Sequence, residues 1–458
     1  MAYTTRPDTR RRVPSAAKAP GSWKVLAFVL FGTLAIFYAA NVYNHQLSAL
    51  IGDVKWAALG ALLLTALSTV NSSESGRRSL DLTGAFLLLS CVSVSILQSD
   101  DTRDSMLTFL TVGMAVLSGR FIALQCDTLA ARRRLFDLIA NLGRLVIASS
   151  FLMFLAGLSL GRSSDRFSAW ADNPNTLAIM LAPALVILLA GALERRPRWI
   201  WSHVPFLVVG VLLLIETGSR ASLLWFIVSC MGFWLFRFGF KFWAIVGAAV
   251  LIIVVGWWDN IVPIVAHLFA RDSHGMRPTP VLSGREEVWG LAMILGPERP
   301  FFGYGLGSSP GLIEANKWIF QRHQGLHFHN SYLTVWIETG FLGVAGVAWV
   351  WIVALWRGAQ QATRLRPLRL PNWPVLALPW VLALGAFVHA GFETWLLSAG
   401  NANAVIFWVC IWMLWDSRRL ERGGPRPVRP PGFTARQPAA MPRTQDPYAP
   451  GPRGPLTP

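Results

Sequence analysis

Residues 327–356, HFHNSYLTVWIETGFLGVAGVAWVWIVALW, decide how this chain is folded. A polar threshold, His327-Phe-His329-Asn330-Ser331, gives way at Tyr332 to an apolar run that reaches Trp356 with one acid, Glu338, inside it. About 20 apolar residues suffice to cross a bilayer as a helix, so this run reads as a membrane span. The threshold ends the only long polar excursion between hydrophobic stretches, Asp259–Ser331, which holds five of the eight histidines: His267, His274, His323, His327 and His329. Any chemistry is expected beside that excursion.

Working outward, 53% hydrophobic content and 22 Trp over 458 residues exclude an ordinary soluble protein. Apolar runs of bilayer length recur at roughly 25–43, 55–70, 82–98, 106–124, 138–159, 176–193, 199–215, 221–236, 241–258, 332–356, 373–396 and 401–415. The expected fold class is an all-α polytopic membrane protein with about 12 transmembrane helices. About two dozen polar, basic residues precede the first run, which suits an uncleaved span better than a signal peptide. Lys and Arg set the orientation. The loops on the N-terminal side carry 28 of the 41 basic residues and the opposite loops 11. Arg120 and Arg144 lie inside spans near the basic side, where they can snorkel. Both termini are therefore placed in the cytoplasm of a bacterium and the long loop in the periplasm. The organisation is a basic tail over 1–24, helices 1–9 within 25–258, a periplasmic loop over 259–331, helices 10–12 within 332–415, and a disordered Pro- and Arg-rich tail over 416–458.

The formal net charge of +17 follows from this bias and two basic tails, so nucleic acid is not an expected partner whereas membrane lipids are. Cys91, Cys126, Cys230 and Cys410 show no CxxC spacing, and neither a disulfide framework nor a zinc site is indicated. No HExxH or acidic ligand set flanks the histidines, so no metal or cofactor is expected. Asp100, Asp101 and Asp104 form the one acidic cluster that could take a divalent ion, with a solvated turn as the plainer reading.

Nine of the 11 outward basic residues are Arg, whose planar fork suits a phosphate. Arg103, Arg271 and Arg277 read as solvated. Arg220 sits in a connection of a few residues between spans seven and eight, as a fixed cation or an interfacial anchor. Arg285 follows Ser283-Gly284 in a capping-box pattern, opening a helix that Gly296-Pro297 would close. It shares a face with Val288, Trp289 and Ala292 and so needs an anion, either a ligand or a distant carboxylate. Arg166, ahead of Asn173-Pro174-Asn175, is open between structural and binding roles. His329 at a helix start suits a general base or a structural histidine. Glu338 and Glu393 lie within spans, where acids are costly and usually functional or paired; Arg220, Arg285 and His329 are the natural partners.

In order and spacing these residues resemble the O-antigen ligase family, which shares a domain with O-antigen polymerases and protein O-oligosaccharyltransferases. The matching elements are Thr217-Gly-Ser-Arg220-Ala-Ser-Leu, Ser283-Gly-Arg285-Glu-Glu-Val-Trp289, Pro300-Phe-Phe-Gly303-Tyr-Gly305-Leu-Gly307, His329-Asn-Ser-Tyr-Leu333, Glu338-Thr-Gly340-Phe-Leu-Gly343, and Glu393 followed by Asn401. Arg166 through Asn175 resembles the family's Arg…Asn-Pro-Asn element. The resemblance covers residues 160–415; the first five spans match in character alone. It implies a GT-C-like membrane glycosyltransferase bundle at the inner membrane. Such an enzyme moves a glycan from undecaprenyl diphosphate to a lipid A-core oligosaccharide in the periplasm, inverting and without metal or cofactor. It further implies His329 as the base, and Arg220, Arg285 and Arg166 with Asn175 and Asn330 on the substrate. Glu338 and Glu393 become supporting acids. The alternatives are an O-antigen or exopolysaccharide polymerase, a protein O-oligosaccharyltransferase and, from another class, a secondary transporter.

Overall fold

The computed structural model describes residues 21–42, 45–72, 81–161, 166–194, 197–239, 241, 284–321, 325–366, 370–398 and 400–417. Thirteen α-helices run through them: α1 Gly21–Ala39, α2 His45–Ser72, α3 Thr83–Ser93, α4 Thr102–Leu124, α5 Leu129–Leu155, α6 Pro174–Leu193, α7 Pro197–Glu216, α8 Arg220–Phe238, α9 Arg285–Leu295, α10 Ser309–Ala315, α11 Ser331–Leu365, α12 Trp373–Ala390 and α13 Ala402–Trp415. Among the described residues there is no strand, and one isolated antiparallel bridge joins Val42 to Ala171. Eight helices (α1, α2, α4, α5, α6, α8, α11, α12) are long and apolar enough to cross a membrane; the stretches 83–98, 202–216 and 402–415 are shorter but apolar. The chain is an all-α, multi-pass membrane protein. The expected span 241–258, apart from Lys241, lies outside the described residues, as do the loop positions 259–283 and the tails up to 20 and from 418.

Phe28, Leu64 and Leu152 are 80%, 68% and 66% exposed, the outward apolar surface a bilayer accepts. The centre is α13, with Trp408 and Trp412 fully buried. It packs against α4, α11 and α12. Gly119 lets α4 approach, since a Cβ there would stand 2.8 Å from Trp408 Cβ.

Three sequence expectations need correction. Arg120 does not snorkel: it is fully buried, 2.5 Å from Asp416, and donates to the Asp81 carbonyl. A buried guanidinium needs such complete pairing. With Arg132 on the Met413 carbonyl and Arg357 on the Trp415 carbonyl, it places cations at the C-terminus of α13, where the helix dipole favours them. The span expected over 373–396 stops as a helix at Ala390. Beyond it the backbone turns around Ser331, whose hydroxyl donates to the Glu393 carbonyl (2.7 Å) and accepts from the N–H groups of Trp395 and Leu396. Glu393 is thus in a connection, not inside a helix. The third concerns α9: its N-cap is Gly284, at φ 82°, with no side-chain cap.

α11 is broken at Gly340 (φ 63°, ψ −168°), and the break receives the glycine-rich loop 300–307. Tyr304 and Gly305 donate to the carbonyls of Ile337 and Glu338, and Phe341 and Leu342 donate to those of Pro300 and Phe301. Backbone groups freed in a membrane helix must find such partners. Gly303, Gly305 and Gly307 all have positive φ, and a Cβ at Gly340 would overlap the Phe301 backbone.

A candidate active site at the α11–α12 end

The break pins the first part of α11, and with it the polar threshold, against the connection after α12. Asn330 caps α11: its Oδ1 accepts from the N–H groups of Tyr332 (3.0 Å) and Leu333 (3.1 Å). Immediately before it, His329 takes φ 48°, a left-handed conformation it shares with Ala169 alone among the non-glycine described residues. A side chain held there costs on the order of 1–3 kcal/mol, which surrounding contacts must offset.

Those contacts meet at Glu393. His329 Nδ1 lies 3.1 Å from Glu393 Oε2, and the Arg285 guanidinium is 2.7 Å from Oε1 while also donating to the Phe392 carbonyl. Asn175 Nδ2 donates to Oε1 at 3.4 Å. Arg166 in turn donates to Asn175 Oδ1 (2.8 Å) and to the Thr217 carbonyl (2.6 Å), just ahead of Arg220. Residues from five distant stretches of sequence form one network. Burial would raise a carboxylate, but the hydrogen bond and charge of His329 and the charge of Arg285 outweigh it and bring Glu393 down to about 2. An ionised carboxylate only accepts, so the hydrogen of this bond is on His329 Nδ1. Burial also pushes His327 down, with the charge of His329 adding and that of Glu393 opposing. The two imidazoles stand nearly perpendicular with centroids 6.4 Å apart.

His327, His329, Glu393, Asn175 and Glu338 line a cavity of about 630 Å³. Glu338, 6% exposed, accepts from the Ser309 N–H at 3.3 Å. Arg166 and Arg285 are not among the lining residues and reach the cavity through Asn175 and Glu393. Arg220 is likewise outside the lining, in the first turn of α8; two residues on, Ser222 Oγ sits 3.3 Å from His389 Nε2. His389 is fully buried behind Glu393 and accepts from Trp395 Nε1 at 2.9 Å.

Sequence reasoning gave no role to Lys55, Asp172 or Asn403, which line the same cavity together with Asn401 of the Glu393…Asn401 element. Lys55 did carry a signal, being one of two lysines among the outward basic residues; the others surface only when α1, α6 and α13 are brought together. Asp100 and Asp101 are used locally: Asp101 caps α4 through the Asp104 N–H, and Asp100 pairs with Arg299 at 3.1 Å. Among the described residues no three His, Cys, Asp or Glu side chains gather as a metal-binding group.

No curated protein matches the sequence. Residues 205–348, just under a third of the chain, match a family described as O-antigen ligase, and they contain Arg220, Arg285, His329, Asn330 and Glu338. Arg166, Asn175 and Glu393 lie outside the matched stretch but inside the network. Over that stretch the chain is similar to the O-antigen ligase family.

Proposed function

We propose that the protein transfers a glycan from undecaprenyl diphosphate to a hydroxyl of lipid A-core oligosaccharide at the periplasmic face of the inner membrane. The observation that carries this reading is the Glu393–His329 pair on the cavity wall. In the reaction, the acceptor oxygen attacks the anomeric carbon while the bond from that carbon to the diphosphate breaks. The acceptor proton passes to His329 Nε2, Glu393 stabilises the imidazolium that forms, and the lipid diphosphate leaves with the bonding electrons. Attack from the side opposite the leaving group inverts the anomeric centre.

Charge develops on the diphosphate, so nearby cations stabilise the transition state. Arg220 and Arg285 are assigned this role, with Arg166 further from the chemistry. Arg285 also fixes Glu393, so its loss acts on both the leaving group and the base. Asn175 and Asn330 hold the wall on which substrate rests, and Glu338 anchors Ser309 against it. The break in α11 is a feature shared with transporters. Here the glycine loop fills it, which fits a fixed packing element better than a moving gate.

A deletion strain tests the reading. Loss of smooth lipopolysaccharide with accumulation of lipid-linked polymer, restored by the wild-type chain and not by His329→Ala, is the expected result. Single capped repeat units instead mean polymerase, and an unglycosylated pilin means oligosaccharyltransferase. Purified protein is expected to keep its activity in excess EDTA; a loss reversed by magnesium or manganese would refute metal independence.

A further inference from the structure

The cavity has a second polar region, away from the His329–Glu393 pair, where α2, the start of α6 and the start of α13 meet. Asn403, the second residue of α13, is 2% exposed. Its Nδ2 donates to Asn401 Oδ1 at 3.2 Å, and that same oxygen accepts the Asn403 N–H at 2.9 Å. Because Asn401 presents oxygen to a backbone N–H, the amide of Asn403 must turn its nitrogen toward Asn401. Asn403 Oδ1 is left buried without a donor among the described residues. Asp172 Oδ1 is in the same condition. Asp172 is held at the wall by its own N–H on the Asn41 carbonyl (3.0 Å) and by the neighbouring Val42–Ala171 bridge.

Beside these acceptors stands an aromatic face. Trp56 is 37% exposed and lines the cavity, with the Lys55 ammonium 4.7 Å from its ring centroid. Both lie against the residue preceding Asn401: a Cβ on Gly400 would come within 3.2 Å of Lys55 Nζ and 3.3 Å of the Trp56 ring.

The chemistry of the two orphaned atoms restricts the ligand. Both are acceptors, and a buried acceptor without a partner is costly. An ionised phosphate offers only acceptors and cannot satisfy them, whereas a sugar supplies O–H or acetamido N–H donors. Its ring also has an apolar face of C–H groups that lies well on an exposed indole.

We infer that Trp56, Asp172 and Asn403 form a subsite for a pyranose ring of the substrate glycan. The inference rests on the glycosyl-transfer reading above. Lys55 next to the indole adds a cation to the subsite, which favours the donor's first sugar, the one that carries a phosphate.

The test uses full-length protein in nanodiscs and two probes, undecaprenyl diphosphate and undecaprenyl diphosphate carrying one N-acetylglucosamine, together with the KM of the acceptor glycan. Trp56→Leu, Asp172→Ala and Asn403→Leu are each expected to weaken binding of the sugar-bearing lipid about tenfold. Binding of the bare lipid should change less than twofold, and Trp56→Phe should restore most of the loss. Trp56, which is 37% exposed, keeps the test independent of any folding defect at buried Asn403. A tenfold rise confined to the acceptor KM would assign the ring to the acceptor and still support the subsite. Equal losses on both lipids, or no loss on either lipid or the acceptor, would overturn it. Wild-type protein that binds the sugar-bearing lipid normally yet transfers nothing would instead remove the transfer reading and leave the subsite standing.

Discussion

His329 and Glu393 act as a unit, and substitutions should show it. His329→Ala should lower kcat by ~10²–10⁴-fold, the usual contribution of a general base, while donor binding persists. His327→Ala, at the neighbouring imidazole, should be milder. Glu393→Gln should lower kcat more than it raises KM, because an amide N–H opposite Nδ1 favours the tautomer with its proton on Nε2. Turnover by His329→Ala at the wild-type rate, with Glu393→Gln or Glu338→Gln folded but dead, would make a carboxylate the base. The depressed carboxyl of Glu393 also has a consequence for stability. Its folded-state value of about 2 lies below the ordinary 4.5, so its contribution is fully present above about pH 4.5 and is lost as pH falls toward 2. That contribution is on the order of 3 kcal/mol. Melting temperatures measured between pH 6 and 3 should fall less steeply in Glu393→Gln than in the wild type; parallel curves would deny Glu393 this role. For the arginines, Ala at Arg220 or Arg285 removes a charge-assisted contact worth roughly 1.5–3 kcal/mol, about one to two decades in rate, and Lys should rescue in part. Full activity with both changed to Ala would be incompatible with diphosphate binding there.

The unit that places these residues is α11 together with the glycine loop docked in its break. Gly340→Ala must strain φ at 63° and push against Phe301, whereas Gly290, mid-way along α9, has open space where a Cβ would go. Thermal unfolding in detergent should show Gly340→Ala destabilised, roughly 1–3 kcal/mol from φ alone with the overlap adding to it, and Gly290→Ala unchanged or improved. Equal melting temperatures would mean the loop does not brace the helix. How well each element could be read from sequence follows from where its cause lies. The stripe of Arg285, Val288, Trp289 and Ala292 was legible because helical spacing is local; its demand for an anion left a ligand or a distant carboxylate open, and the fold brings Glu393 to it. The break was not legible. A hydropathy run sees Tyr332–Trp356 as continuous, and the groups that make a positive φ tolerable at Gly340 come from residues 300–307. For the same reason α12 was read too long: Ser331, some 60 positions earlier, ends its helical course. Asp172 and Asn403 carry no pattern of their own and acquire meaning only across the cavity.

At the scale of the whole molecule, the two ends of the bundle have different tasks. One end gathers His329, Glu393 and the cavity; at the other, Arg120, Arg132, Arg357 and Arg366 bind the terminal carbonyls or the acid at the ends of α13 and α8. Arg132, Arg357 and Arg366, which the topology rule counts, are therefore also structural, and the number of basic residues on that side reflects helix capping as well as insertion. The course of the chain tests the orientation independently of charge. α8 ends at the arginine-rich end, because Arg366 after α11 donates to the Phe236 carbonyl, while Arg285 is at the opposite end on Glu393. The chain must pass from one end to the other an odd number of times between Phe238 and Arg285. The apolar run 241–258 is long enough for one such passage, which predicts that the site end and the C-terminal tail face opposite compartments. Reporter fusions read this directly. A periplasm-active reporter should be active when fused at Arg277 and inactive after Arg419, with the reverse for a cytoplasm-active one. Activity of both fusions on the same side would break the parity argument, and a periplasmic tail would put the cavity in the cytoplasm and overturn the proposed reaction at the periplasmic face.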